Sequence, residues 1–214
     1  MLTIWGRISS INVRKVVLAA QLLGLDFKRT DAGRQFGVVK TPAYLAMNPN
    51  ALVPVIDDDG FVLWESNVIV RYLCAKSAPT RPGAVVPASL YPADLRERFN
   101  AERWMDWQQT TVNPAGREAF VQWIRTPGAQ PDAALIAQSV AAMEPLLAML
   151  DSHLSQHAFI GGEALSMADI PLACEVHRWW GLPQPRAQWP HIERWYQGLL
   201  AMPASRGVLD QPLA

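Results

Sequence analysis

The feature that most constrains this chain is a change of period across a proline-rich stretch. Before Ser77, short β-compatible apolar runs alternate with helix-spaced segments. After Pro92 everything reads as helix. Between them Pro79, Pro82, Pro87 and Pro92 punctuate a segment rich in Pro, Ala and Gly, which reads as a linker. The pattern predicts two domains, residues 1–77 and 93–214, joined by a linker at 78–92. The 214 residues, 50% hydrophobic and 18% charged, suffice for two modest cores, and wholesale disorder is excluded.

In the first half, Leu2 to Trp5 reads as a strand and Gly6 to Ser10 as a loop. Val13, Val16, Val17, Ala20 and Leu23 have helix spacing, and Gly24 is a stop. Phe27 to Asp31 predicts a second strand, and Pro42 opens a short helix through Met47. Leu52 to Ile56 and Phe61 to Trp64 are strand-like, and Asp59-Gly60 between them signals a hairpin. Ser66 starts a helix carrying Val68, Ile69, Tyr72 and Leu73. The order β-α-β-α-β-β-α implies a parallel pair with an antiparallel hairpin added. Pro54 is anomalous inside a strand because it removes a ladder donor. A cis Val53–Pro54 bond would resolve this and expose the Val53 backbone to a ligand.

In the second half, Leu95 and Phe99 lead into RWMDWQQTTVNPA. Regular helix spacing there predicts a polar stripe of Arg103, Asp106, Thr110, Asn113 and Arg117, and an aromatic one of Trp104, Trp107 and Thr111. Ile136, Val140, Met143, Leu147, Leu150 and Leu154 define a second long helix, which Pro145 should kink or open. Ser166-Met-Ala-Asp169 resembles a capping box, and Trp195, Leu199 and Met202 fit a last helix.

Nineteen basic residues against nineteen acidic ones leave no net charge, which argues against nucleic acid and anionic membrane. Cys74 and Cys174 form neither a redox pair nor a zinc spacing. His153 and His157, at i and i+4, are two ligands without a third and read as exposed helix residues, so no metal is expected. Arg14-Lys15 before VVLAAQLLGL imitates a signal peptide, but a strand precedes it and no small-x-small site follows. No apolar stretch approaches the ~20 residues of a spanning helix. The chain reads as cytoplasmic.

SSINVRKV after the first strand, NPNALVPV at the third, WESNVIVRYL after the hairpin and SMADIPLA in the helical half carry a resemblance across the whole chain. In this order they resemble the cytosolic glutathione transferases: an α/β thioredoxin-like N-terminal domain plus an all-α C-terminal domain. The resemblance implies glutathione as co-substrate, no metal, a small apolar electrophile and a homodimer.

It also implies residue roles. Glu65 and Ser66 sit where the family binds the γ-glutamyl end, and a helix start at Ser66 suits a carboxylate. Val53, before Pro54, occupies the position whose backbone pairs with the cysteinyl part. Lys40, Asn50 and Leu52 lie where family members contact the glycine end. The thiol-activating group comes down to Ser9, Ser10 and Asn12, since no Tyr or Cys occurs before Tyr44. Lowering a thiol pKa by about two units takes roughly 2.7 kcal/mol. One hydrogen bond to a charged sulfur contributes ~1.5–3 kcal/mol, so a single donor suffices. Ser10 is the main candidate; the rival role for Ser10 or Asn12 is only to cap the helix. Trp107, Thr110 and Asn113 are candidates for the electrophile site. The implied reaction conjugates the glutathione thiolate to a hydrophobic electrophile. The alternatives are a binding or regulatory protein without turnover, and a peroxidase or isomerase on the same scaffold.

Overall fold

The computed structural model describes residues 1–77, 90–126 and 128–214, so positions 78–89 of the expected linker lie outside the described residues. The chain divides into two compact units, Met1–Tyr91 and Pro92–Ala214.

The first unit runs β1 (Leu2–Trp5), α1 (Ile11–Leu22), β2 (Phe27–Thr30), α2 (Pro42–Met47), β3 (Val55–Asp58), β4 (Phe61–Trp64) and α3 (Ser66–Ser77). The sheet order is β2-β1-β3-β4. β1 and β2 are parallel, as a helical crossover requires, and the other pairs are antiparallel. Two-residue alternation sorts β1 into two faces. Leu2 and Ile4 are buried, and α1 and α3 pack on each other with Val13, Val16, Val17, Ile69, Val70 and Leu73 buried. Trp5, of opposite parity, joins Tyr44, Val55 and Ala32 in a second cluster with Val53. Asp59 (φ 53°) and Gly60 (φ 91°) both take positive φ, as a tight hairpin turn demands.

One strand differs from expectation. β3 starts at Val55, not Leu52, and Pro54 precedes it in a cis bond with Val53. Without an N–H, Pro54 cannot enter the ladder, so pairing begins one residue later.

The second unit contains α4 (Leu95–Trp107), α5 (Asn113–Phe120), α6 (Ala133–Gln156), α7 (Asp169–Trp180) and α8 (Pro190–Leu200). Asp94 caps α4 and Asp132 caps α6 through carboxylate bonds to first-turn N–H groups. Gln108–Val112 is a wide π turn between α4 and α5, and Val121–Arg125 is another at the end of α5. A π turn inserts a residue and rotates the helix locally, yet Arg103, Asp106, Thr110 and Arg117 of the expected polar stripe are all exposed and Asn113 is half-buried. Trp104 and Trp107, both before the first π turn, meet edge-on, whereas Thr111 inside that turn is exposed.

α6 continues through Pro145 without a break. It also corrects the expectation about spanning length: it has 24 residues, with a stretch of mean hydropathy 1.6. Its buried Ile136, Met143, Leu147, Leu150 and Leu154 form one face that packs on α5 and α8, and 28% of that stretch is buried. His153 is not an exposed helix residue: its ring lies 4.6 Å from Trp104 and 4.5 Å from His157. Burial pushes its pKa below the ordinary histidine value. Cys74 and Cys174 form no disulfide and are buried.

Asp169 explains the SMAD motif. Its carboxylate accepts from Ser166 N–H (2.8 Å), the Ser166 hydroxyl (3.3 Å), Ile160 N–H (2.9 Å) and Trp195 Nε1–H (2.8 Å). It therefore ties the loop before α7 to α8 while Ser166 Oγ accepts from Ala168 N–H (3.3 Å).

Candidate active site

Strand register gathers the site. Trp5 pairs with Val55, Val55 with Trp64, and Trp5 with Thr30 on its other side. The loops that follow β1, β2 and β4, and the segment that precedes β3, therefore leave the sheet at one end. Adjacent strands stand about 4.8 Å apart, so the strand ends Trp5, Val55 and Trp64, next to the segments that hold Ser9–Asn12, Val53–Pro54 and Glu65–Ser66, lie within roughly 10 Å of one another.

The β1–α1 loop makes its turn by close approach. Gly6 has φ 149°, and a Cβ there would lie 2.4 Å from Val13 Cγ2 and 3.2 Å from Val53 Cβ. Only glycine lets the loop pass between α1 and the Val53 segment. Ser10 then takes the N-cap position of α1 with extended backbone (φ −83°, ψ 125°). Its carbonyl accepts from Arg14 N–H at 2.9 Å, but its hydroxyl makes no capping bond. The backbone alone caps, and the hydroxyl stays free to donate. Ser9 is half-buried in the same loop. Asn12 lies in the first turn of α1, and its Oδ1 is buried without a partner.

The segment before β3 is braced from beneath. Tyr44 Oη donates to the Leu52 carbonyl at 2.8 Å, and Asn48 Nδ2 donates to the same oxygen at 2.9 Å. Asn48 Oδ1 accepts from Asn50 N–H (3.0 Å) and Asn50 Nδ2 (3.1 Å). The Leu52 carbonyl is thus spent internally, and its side chain is 65% exposed. Val53 follows as the next backbone group at the sheet end. Tyr44 itself is buried, which pushes its pKa up to about 12, so it stays a neutral donor. Tyr44 and Asn48 were not singled out from sequence. The Asn-Pro-Asn turn before a Val-Pro pair is the signal that marks them.

At α3 the arrangement differs from a serine N-cap. The Glu65 carbonyl accepts from Ile69 N–H at 2.9 Å, so Glu65 is the capping residue and Ser66 the first helical one. Glu65 has φ 73°, a left-handed conformation that costs a non-glycine residue about 1–3 kcal/mol. Ser66 is buried at 4% exposure, directly at the N-terminal end where free N–H groups point outward. Lys40 and Asn50 are exposed, Lys40 on the loop after β2.

This arrangement can receive a short peptide: a backbone segment braced before a strand, a helix N-terminus for a carboxylate, and an unspent hydroxyl beside them. The pattern "Glutathione S-transferase, N-terminal domain" matches residues 9–76, and "Glutathione S-transferase, C-terminal domain" matches 133–198. The glutathione S-transferase GstB of Escherichia coli K12 is 37% identical over 100% of both chains. The chain belongs to the glutathione S-transferase family.

A theta class glutathione S-transferase from Xanthomonas axonopodis pv. citri, solved with glutathione bound, superposes on the transferase with a TM-score of 0.91. It is 39% identical and covers 100% of this chain and 99% of its own. Rice elongation factor 1-gamma 1 is 28% identical over 92% of this chain, which spans 46% of that longer protein.

In the helical unit of the transferase, the three candidates do not share one feature. Trp107 meets Trp104 edge-on at 5.1 Å and lines an open groove of about 570 Å³ with Arg103, Met149, His153 and Gln156. Thr110 is exposed and donates to the Asp106 carbonyl at 2.9 Å. The Asn113 carbonyl accepts from Arg178 Nη2 at 3.2 Å. Arg178 also pairs with Glu175, which accepts from Gln108 Nε2 at 2.7 Å. This buried network from α7 grips both ends of the first π turn. Its residues were not legible as a unit, because Gln108 and Glu175 are separated by 67 positions.

Proposed function

We propose that this transferase binds glutathione along the Val53–Pro54 edge and conjugates its thiolate to a hydrophobic electrophile. The unspent Ser10 hydroxyl at the sheet end carries the reading. In it, Ser10 donates to the thiolate, with Ser9 and Asn12 in the same loop. Val53 offers backbone pairing to the cysteinyl part, and Glu65 with the Ser66 helix start receives the γ-glutamyl group. Lys40, Asn50 and Leu52 lie toward the glycine end. The sulfur attacks carbon, the C–S bond forms as the bond to the leaving group breaks, and the thiol proton is lost to solvent. One donor lowers the thiol pKa, and holding both reactants together supplies the remaining rate gain.

Trp107, Thr110 and Asn113 remain the candidates for the electrophile face. The domain division at 1–77, 78–92 and 93–214 belongs to the same proposal. So does a homodimer, supported by exposed Phe61, Trp64 and Val68 on β4 and α3, and by exposed Leu95, Phe99 and Met149 in the helical unit. A cytoplasmic location is supported by two buried cysteines that form no disulfide. The test is calorimetry with glutathione combined with conjugation of 1-chloro-2,4-dinitrobenzene. Binding with turnover supports the proposal. Binding without turnover of any electrophile favours a binding protein, and absence of binding refutes both.

A further inference from the structure

The β1–α1 loop carries a charge that the proposed chemistry leaves unused. Arg7 donates its backbone N–H to the Ala32 carbonyl at 3.2 Å, and its own carbonyl accepts from Ser10 N–H at 3.1 Å. Arg7 and Ser10 are therefore the two ends of one tight turn, whose Cα atoms lie within about 7 Å. A Cβ on Gly33 would sit 3.0 Å from Arg7 Nη1 and 3.5 Å from Val53 Cγ1. The guanidinium thus lies over Gly33, beside the Val53 edge. Arg34 follows, exposed and left-handed at φ 51°. Burial, and then the Arg34 charge, press the Arg7 pKa below its ordinary value.

The Arg7 guanidinium and the residue after Gly33, Arg34, therefore share one rim of the site. Among the described residues neither has an ion-pair partner, and the nearby Asp31 is engaged by Arg29. Arg7 Nε is buried with no acceptor. Like charges held together without a counter-charge favour an anion that bridges them, and guanidinium forks suit a carboxylate. Both carboxylates of glutathione already have partners in the proposed binding mode, at the Ser66 helix start and at Lys40. The anion left over belongs to the second substrate.

We infer that Arg7 and Arg34 receive the carboxylate of an acidic electrophile beside Ser10, so that preferred co-substrates carry a carboxylate next to the reacting carbon. This rests on the transferase reading.

Iodoacetate and iodoacetamide make the test, because they match in shape and differ in charge. In both, the C–S bond forms, the C–I bond breaks, iodide leaves, and the thiol proton goes to solvent. Rates with glutathione are divided by the uncatalysed rate for each reagent. Wild type should accelerate iodoacetate roughly tenfold more than iodoacetamide, the worth of one charged hydrogen bond. Arg34→Gln and Arg7→Gln should abolish that preference through the iodoacetate KM while iodoacetamide changes less than about twofold. Arg34→Gln is exposed and keeps the fold even where Arg7→Gln does not. Equal acceleration of the two reagents by wild type overturns the inference and leaves the transferase reading standing. A parallel fall of both reagents in the variants, with a raised glutathione KM, assigns the arginines to glutathione and also overturns it. No acceleration of either reagent, with no glutathione binding, refutes the transferase reading and this inference together.

Discussion

Asp169→Ala removes one acceptor from four donors at once. Ile160 N–H, Ser166 N–H, the Ser166 hydroxyl and Trp195 Nε1–H all end on its carboxylate, and the residue is 1% exposed. A hydrogen bond to a charged group contributes ~1.5–3 kcal/mol, so four lost bonds cost about 6 kcal/mol at the low end. Against this stands the cost of burying the charge. Burial pushes the Asp169 pKa up to about 6 despite those four bonds. Relative to an ordinary Asp near 3.9, that is a penalty on the order of 3 kcal/mol for the ionised form. The net expected loss at pH 7 is about 3 kcal/mol. The sign of the pH dependence is fixed by the direction of the shift. A folded pKa above the unfolded one means the native state binds the proton more tightly. The proton-linked part of this group's stabilisation is fully present below about pH 4 and is lost as pH rises through 6, which leaves the net figure above at pH 7. Asp169→Asn keeps the two bonds to Oδ1 and carries no charge, so it should cost less and flatten the stability profile between those limits. Urea unfolding followed by tryptophan fluorescence, repeated from pH 4 to 8, reads both effects. A loss under about 1 kcal/mol for Asp169→Ala, or an unchanged profile for Asp169→Asn, would refute the reasoning.

Three further outcomes are expected. Ser10→Ala should move the thiol limb of the pH–rate profile upward by about one unit or more, since one hydrogen bond to the thiolate is lost; an unmoved limb transfers the role to Ser9 or Asn12. Glu65→Ala and Ser66→Ala should each weaken calorimetric glutathione affinity by roughly tenfold or more, and unchanged affinity removes the γ-glutamyl assignment. Arg178→Met leaves Glu175 buried without its cation and should cost about 3–5 kcal/mol. Double replacement with Glu175→Leu should recover much of that loss in urea unfolding, whereas no recovery would argue against a charge-burial origin.

Much of the first unit was legible because its signals are local. Pro42 at a helix start, Asp59-Gly60 at a hairpin and Gly24 at a helix end each act through their own backbone, and all three elements stand where expected. The helical unit was less legible for the opposite reason. The π turns at Gln108–Val112 and Val121–Arg125 shift register without any single breaking residue, so regular spacing could not announce them. The spanning length of α6 escaped notice in the sequence because polar residues interrupt its apolar positions, and only the continuous helix joins them into one long stretch.

Composition, period and turn chemistry settled the class of the chain: two units, a βαβ start with a hairpin, and a set of motifs at family spacing. Those motifs, through the family they resemble, nominated Ser10, Val53 and Ser66, each next to a strand end or a helix start. They could not say that Ser10 caps with its backbone and leaves its hydroxyl free, that Glu65 rather than Ser66 caps α3, or that Arg7 lies over Gly33 beside Arg34. Those facts depend on strand register and on close approach between segments far apart in sequence. Local propensity carries no information about register, whereas a sheet aligned at Trp5, Val55 and Trp64 places every loop at that end relative to the others.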